Sequence, residues 1–280
     1  MECIASIKKQ LETGKGWYVI NKYPEELTES NLLTLMREFG RVNNLDNEGR
    51  KVLRIEDSGV TVDQVKETGI VRDNNNVKPV RPYMTNGELE FHTDLSDLAF
   101  LMCVNPADEG GVSKLVNSQE VYEYIKINHP NELLTLESTK YQVHHQTPLI
   151  PDGKNHLISI PIFSFEDGFF SSFFLRTYIL VTNEKLGLGL SKHEIDALDL
   201  VEDVANKLST TILLEKGDIL ICNNHITYHS RTKFQDKENK RLLLRGWVCA
   251  DGNRPLNDHY RELYGDNLSH NSYRGGFVKV

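Results

Sequence analysis

The chain has 280 residues and a mass of 32.0 kDa, and its 32 Lys plus Arg against 40 Asp plus Glu give a formal charge of −8. Apolar residues at 39 % and charged ones at 26 % exclude wholesale disorder. The acidic balance argues against a general nucleic-acid binder, which needs a basic surface to neutralise phosphates.

The longest apolar runs, Ile219 to Cys222 and Leu242 to Leu244, are strand-sized and far short of the roughly 18 residues of a membrane helix. Met1-Glu2-Cys3-Ile4 lacks the basic region and apolar core of a secretory leader. The four cysteines, at 3, 103, 222 and 249, match no zinc or redox spacing, so reduced thiols packed as small apolar residues in a cytoplasmic protein are expected.

In chain order, a helix is predicted from Ile4 to Glu12, stopped by Gly14 and Gly16, then a strand Trp17-Tyr18-Val19-Ile20. Leu27-Thr28-Glu29 opens a second helix through Met36, ended by Gly40. Strand-like patches follow at Lys51 to Ile55 and Gly69 to Arg72, and Asp73-Asn74-Asn75-Asn76 reads as a turn. The polar segment 73 to 86 is either a lid over a substrate or a surface loop. From about 88 to 250 the pattern is mostly strands: Glu88 to Asp94, Ala99 to Val104, Leu157 to Ile162, Thr210 to Leu214, Asp218 to Cys222 and Arg241 to Val248. Helices are predicted at Ser118 to Asn128 and Lys192 to Lys207. The expectation is a single domain, 1–280, mostly β with helical insertions. N-terminal helices and a strand (1–87) precede a β-sandwich or jelly-roll core (88–250), and a polar tail (251–280) wraps the surface.

In Phe91-His92-Thr93-Asp94, side chains two apart share a strand face, so His92 and Asp94 point the same way. A second imidazole is offered by His229, after the strand Asp218 to Cys222 and the pair Asn223-Asn224. Two imidazoles and one carboxylate, with open positions left over, suit non-haem Fe(II). A closed β-barrel would bring strands that remote together. His225 and His229 stand four apart, as in a helical zinc pair, but no Glu sits at 226 and the preceding run is strand-like. His144 and His145 are adjacent, so on a strand they face opposite sides. Arg241 and Arg245 share parity, with Leu242 and Leu244 on the other face. Guanidinium groups turned inward would call for carboxylates; an outward basic stripe with Leu inside is the alternative.

Taken together, Phe91-His92-Thr93-Asp94, Gly110-Gly111-Val112-Ser113, Gly217-Asp218 through Asn223-Asn224 to His229, and Arg241-x-x-x-Arg245 make the chain resemble the Fe(II)/2-oxoglutarate-dependent oxygenases of the taurine dioxygenase and clavaminate synthase type. Gly16-Trp17-Tyr18-Val19-Ile20 also looks like that family's opening strand, and the resemblance runs from about residue 12 to 250. Two departures are His225, where relatives often carry Arg, and Asn223 in place of the commoner Asp.

The resemblance implies a double-stranded β-helix, cupin-like, with His92, Asp94 and His229 holding iron. Arg241 and Ser113 would bind the distal carboxylate of 2-oxoglutarate, and Arg245 an acid group of the primary substrate. Fe(II) is the implied cofactor, with 2-oxoglutarate and O₂ as cosubstrates and succinate and CO₂ as products. Halogenases of this type lack the carboxylate that Asp94 supplies, so hydroxylation is expected, with desaturation or cyclisation as alternatives. Asn86, Glu88 and Glu90 share the parity of His92. Glu88 is the favoured partner of a substrate amine and Arg176 a further substrate contact, which makes an amino-acid-like molecule the expected substrate. The cluster Phe163, Phe165, Phe169, Phe170, Phe173 and Phe174 is expected in core and lid packing. No nucleic-acid or membrane partner is expected, and a homo-oligomer is left open. Rival readings are a non-catalytic β-barrel binding a small acid and a zinc hydrolase using His225 and His229.

Overall fold

The computed structural model describes residues 3–60, 71–73, 76–80, 82–138, 141–146 and 155–277. Positions 69–70, 74–75 and 81, part of the predicted patch, turn and lid segment, lie outside them. Two antiparallel sheets form the frame. The larger is ordered Trp17–Ile20, Ile219–Asn223, Leu98–Asn105, Leu242–Ala250, Gly40–Val42, with Val52–Ile55 also pairing onto Leu242–Ala250. The smaller is ordered Thr210–Ile212, Ser113–Asn117, Thr227–Arg231, Leu89–His92. The chain passes from one sheet to the other and back: Leu89–His92 to Leu98–Asn105 to Ser113–Asn117, then Ile219–Asn223 to Thr227–Arg231 to Leu242–Ala250. This is the expected double-stranded β-helix. Among the described residues neither sheet closes on itself, so the frame is an open jelly roll rather than the closed barrel expected.

Burial explains why the strand Ile219–Asn223 shows no polar alternation. Ile219 and Ile221 pack under the helices Ile4–Thr13 and Glu29–Arg37, against Ile7, Leu11, Leu32 and Met36. Leu220 and Cys222 point the other way, between the sheets, and meet Leu115, Cys103 and Leu243. With both faces covered, every position from Ile219 to Cys222 is apolar. The smaller sheet obeys the same logic on one face only. Phe91, Val116 and Tyr228 share a cluster with Val121, Ile125, Val201 and Ala205 of the helices Ser118–Asn128 and Lys192–Leu208. By the two-residue period their neighbours His92, Leu115 and His229 face the interior.

Local signals placed the helix starts. Thr28 Oγ1 accepts from Asn31 N at 3.2 Å, and Ser191 with Glu194 forms a complete capping box. Among the described residues, the helices Pro130–Leu136 and Arg176–Leu186 and the short Arg261–Tyr264 escape a sequence reading. The first begins on proline, which suits a helix's first position but in an isolated polar stretch reads equally as a turn. The second is rich in β-branched residues with low helix propensity; burial of Ile179 and a left-handed cap at Gly187 hold it. In the aromatic cluster Phe163, Phe170, Phe173 and Phe174 are buried, while Phe165 and Phe169 are exposed. The C-terminal tail corrects the expectation of a surface wrap. Its Leu256, Tyr260, Leu263, Tyr264 and Leu268 join the main core, because the apolar residues sit three or four apart within an otherwise polar stretch. Among the described residues no helix is long and apolar enough to cross a membrane.

Candidate active site

Antiparallel pairing sets His229 directly opposite His92, with their ring centroids 4.3 Å apart. Asp94 lies just beyond the end of the strand Leu89–His92, where its backbone N donates to Asn224 Oδ1 at 3.2 Å. The ligand atoms of His92, Asp94 and His229 all lie within 4.8 Å of one another, and among the described residues no other group of three or more His, Cys, Asp or Glu is so placed.

The protonation states suit a cation. His92 Nδ1 sits 2.8 Å from Glu90 O, which can only accept, so Nδ1 carries the proton and Nε2 keeps its lone pair. Burial pushes the His92 pKa below its usual value, and burial with the neighbouring His92 takes His229 down to about 3. Burial pushes Asp94 up, but Arg245, the two imidazoles and the bond from Trp247 Nε1 to Oδ2, at 3.1 Å, outweigh it and hold the carboxyl below its usual range. Two neutral imidazoles and one carboxylate are the donor set an Fe(II) ion takes. The residues present therefore fit the metal.

Behind this floor stand three buried arginines. Arg245 stacks between Tyr83, 4.2 Å from its ring centroid, and Trp247, at 5.3 Å, with Nη1 3.7 Å from Asp94 Oδ1. Arg241 is 5 % exposed, and burial pulls its pKa down to about 10, Cys103 and Asp236 opposing only in part. Arg231 was missed by the sequence reading. It lies two residues beyond His229 on the same strand, so its parity was the available signal. Its Nη2 donates to Thr85 O at 2.7 Å and to Gly87 O, fixing the segment that carries Tyr83. Arg241 Nη1, Arg231 Nε and Arg245 Nε are each buried without a hydrogen-bond partner. Donors left this way are costly unless a ligand supplies acceptors, and a dicarboxylate such as 2-oxoglutarate would. Ser113 is buried opposite Arg231 in the register of the smaller sheet. The Gly110-Gly111 pair before it has a steric reason. A Cβ on Gly110 would stand 2.2 Å from Lys233 O, and one on Gly111 3.3 Å from Arg241 Nε. The pair lets the strand Phe234–Gln235 and Arg241 approach the backbone.

A cavity of about 610 Å³ opens beside the His92 and Asp94 members of the triad, and Arg245, Glu88, Glu90 and Arg176 are also among its walls. Arg241 and Ser113 do not line it. Glu88 is exposed at its rim. Arg176 is already paired, with Asp199 Oδ1 at 2.5 Å and Glu90 Oε1 at 3.6 Å, and Thr177 Oγ1 donates to Glu90 Oε2 at 2.5 Å. His225 does not join the triad. Its Nε2 is 2.7 Å from Asp97 Oδ1, which also accepts from Arg274 Nε at 2.9 Å. The zinc pair of His225 and His229 is thus not assembled.

That pair has a pH consequence. Burial takes His225 down to about 4 from 6.5, the Asp97 bond offsetting part of the shift. Below pH 6.5 the unfolded chain protonates imidazoles that the fold keeps neutral, so it binds more protons. Stability of the metal-free protein is expected to be full above pH 6.5 and to fall as pH drops toward about 4. Thermal unfolding between pH 7.5 and 4 reads this, and His225→Gln, which can still donate to Asp97, should flatten the decline. An unchanged slope would clear His225 of the effect.

A family model described as Taurine catabolism dioxygenase TauD, TfdA family matches residues 7–247. The FR-33289 synthase of Streptomyces rubellomurinus is 27 % identical over 264 residues, 90 % of this chain and 74 % of that protein. Among solved structures, asparagine oxygenase in complex with Fe(II), 2S,3S-3-hydroxyasparagine and succinate superposes with a TM-score of 0.63 at 14 % identity, covering 88 % of this chain and 77 % of that one. The non-heme iron oxygenase OrfP in complex with Fe and alpha-ketoglutaric acid gives a TM-score of 0.55 at 16 % identity, covering 80 % and 65 %.

Proposed function

Because the chain belongs to the taurine catabolism dioxygenase TauD/TfdA family, and is thus a non-haem iron oxygenase using Fe(II), 2-oxoglutarate and O₂, we propose that it hydroxylates an unactivated C–H bond of a small amino-acid-like substrate at the site built on His92, Asp94 and His229. The observation that carries this reading is the meeting of those three donors, two of which, His92 and Asp94, line the cavity. An enzyme of this family is neither the non-catalytic barrel nor the zinc hydrolase considered from sequence.

His92 Nε2, an Asp94 carboxylate oxygen and His229 would hold the metal. Bound there, Fe(II) would supply O₂ activation coupled to decarboxylation of 2-oxoglutarate to succinate and CO₂, one oxygen atom of O₂ entering succinate and the other the hydroxylated substrate. The chain's own residues do the rest. Trp247 and Asn224 orient Asp94. Arg241 and Ser113 would anchor the far carboxylate of 2-oxoglutarate. Because Asp94 occupies the carboxylate position, hydroxylation is favoured over halogenation. The reaction balances as substrate, 2-oxoglutarate and O₂ going to alcohol, succinate and CO₂.

For the substrate, charge on the cavity walls is the guide. Arg245 is the guanidinium nearest Asp94 and has a free Nε, so it would take an acid group. Glu88 at the rim would take an amine. Arg176, already paired with Asp199 and Glu90, would contribute as a wall rather than as a free charge. The neighbouring asparagine oxygenase, whose structure holds 3-hydroxyasparagine, supports an amino-acid class of substrate.

The test is a screen of free amino acids with Fe(II) and 2-oxoglutarate, following substrate-dependent succinate and a product heavier by one oxygen. At least one amino acid should raise succinate formation over the background without substrate. With that compound, Glu88→Ala should raise KM about tenfold, a charged hydrogen bond being worth about 1.5–3 kcal/mol. A background that no amino acid stimulates would reject the substrate class. An unchanged KM would remove Glu88 from the site.

A further inference from the structure

The C-terminal segment Arg274-Gly275-Gly276-Phe277 lies against the site, and no role described above uses it. Arg274 is buried, and its Nε bond to Asp97 lands three residues beyond Asp94. Gly276 N donates to Leu95 O at 3.3 Å, the residue next to Asp94. Gly275 and Gly276 both have φ +72, and a Cβ on Gly276 would stand 2.6 Å from Asn43 Cβ. The segment lies flat on Asn43, where only glycine fits. Phe277 is then fixed from both sides: its N donates to Asn44 O at 2.9 Å, and its O accepts from Asn44 Nδ2 at 2.9 Å.

These bonds place the Phe277 ring nearly parallel to that of Trp247, at 16°, with centroids 6.2 Å apart, and the ring lines the cavity. Trp247 in turn donates Nε1 to Asp94 Oδ2. An indole N–H lies in the ring plane, so the bond survives only while that plane points at Oδ2. Phe277 and the Arg245 guanidinium are the groups stacked on it.

We infer that residues 274–277 form a strap belonging to the catalytic apparatus. Phe277 is a positioning residue that holds Trp247, and through it the Asp94 carboxylate, in the orientation the iron requires. Its ring also closes one wall of the substrate cavity. The inference rests on the assignment of His92, Asp94 and His229 as iron ligands.

The test is anaerobic calorimetric titration of the full chain with Fe(II) in the presence of 2-oxoglutarate. Phe277→Ala and Trp247→Phe should each weaken Fe(II) binding about tenfold, the low end of what loss of a ligand's supporting partner costs. The double variant should bind no more weakly than Trp247→Phe alone, because the effect of Phe277 travels through Trp247. Phe277→Tyr, which keeps the stacked ring, should restore wild-type affinity. Should Phe277→Ala fail to fold, Phe277→Leu keeps the bulk without the ring and is read against the same scale. Additive losses, or wild-type affinity in the ring-less variant while Asp94→Ala still abolishes binding, would overturn the strap inference alone. Undiminished Fe(II) binding by Asp94→Ala would instead overturn the ligand assignment beneath it.

Discussion

Asp94→Ala is expected to abolish Fe(II) binding and to cut 2-oxoglutarate-dependent succinate formation by more than about 100-fold, beyond the 10–100-fold that losing a ligand's supporting partner costs. Charge sets the size of the effect. His92 and His229 are neutral, so Asp94 is the anion among the three donors. Two imidazoles alone do not neutralise a divalent cation in a buried site. Succinate assays and anaerobic metal titration read both effects. Removing the carboxylate also leaves Arg245 without its 3.7 Å partner. Because Arg245 faces the open cavity, the stability loss should stay below the roughly 3–5 kcal/mol of a fully buried pair. Near-normal turnover in this variant would sink the ligand set.

Arg241→Met is expected to act on the cosubstrate and to leave the metal in place. Arg241 is a buried cation with an unpartnered Nη1, a costly state that a bound carboxylate would relieve. Its loss should raise the 2-oxoglutarate requirement on the order of 100-fold, the scale of a buried charge pair broken at one end. Methionine preserves bulk and removes the desolvated charge, so the variant without ligand should be at least as stable as wild type. The two proteins then differ in a second way. Added 2-oxoglutarate with metal should raise the unfolding temperature of wild type much more than that of the variant. An equal rise in both would remove Arg241 from the 2-oxoglutarate site and turn attention to Arg231 and Arg245.

Much of the site was legible because strand parity is a local property. His92 with Asp94, and Arg241 with Arg245, are two and four residues apart, and both pairs proved to share a face. What parity does not say is which face. The inward direction of Arg241 and Arg245 follows from packing: Leu244 belongs to the cluster beneath the N-terminal helices, which leaves the opposite face of that strand to the interior. Arg231 shows the same limit. Its parity with His229 was visible, but an arginine after a histidine reads as an ordinary surface residue until the segment 83–87 is seen to wrap its guanidinium. His225 looked like a departure next to the metal strand, and its partner Asp97 is 128 residues away.

The sequence by itself determined the strand-rich jelly roll, and it singled out the candidate donors His92, Asp94 and His229, the paired arginines and, through the family resemblance, the glycines that precede Ser113. Each of these rests on short-range geometry, on hydrophobic patterning or on a motif of fixed spacing. Only the tertiary structure decided that, among the described residues, neither sheet closes on itself, that His225 serves Asp97 rather than a metal, and that the C-terminal tail is core and not wrapping. Those outcomes depend on which distant backbones pair and which buried charges must find partners. The bond from Arg274 to Asp97 spans 177 residues, and no local pattern encodes a contact of that kind.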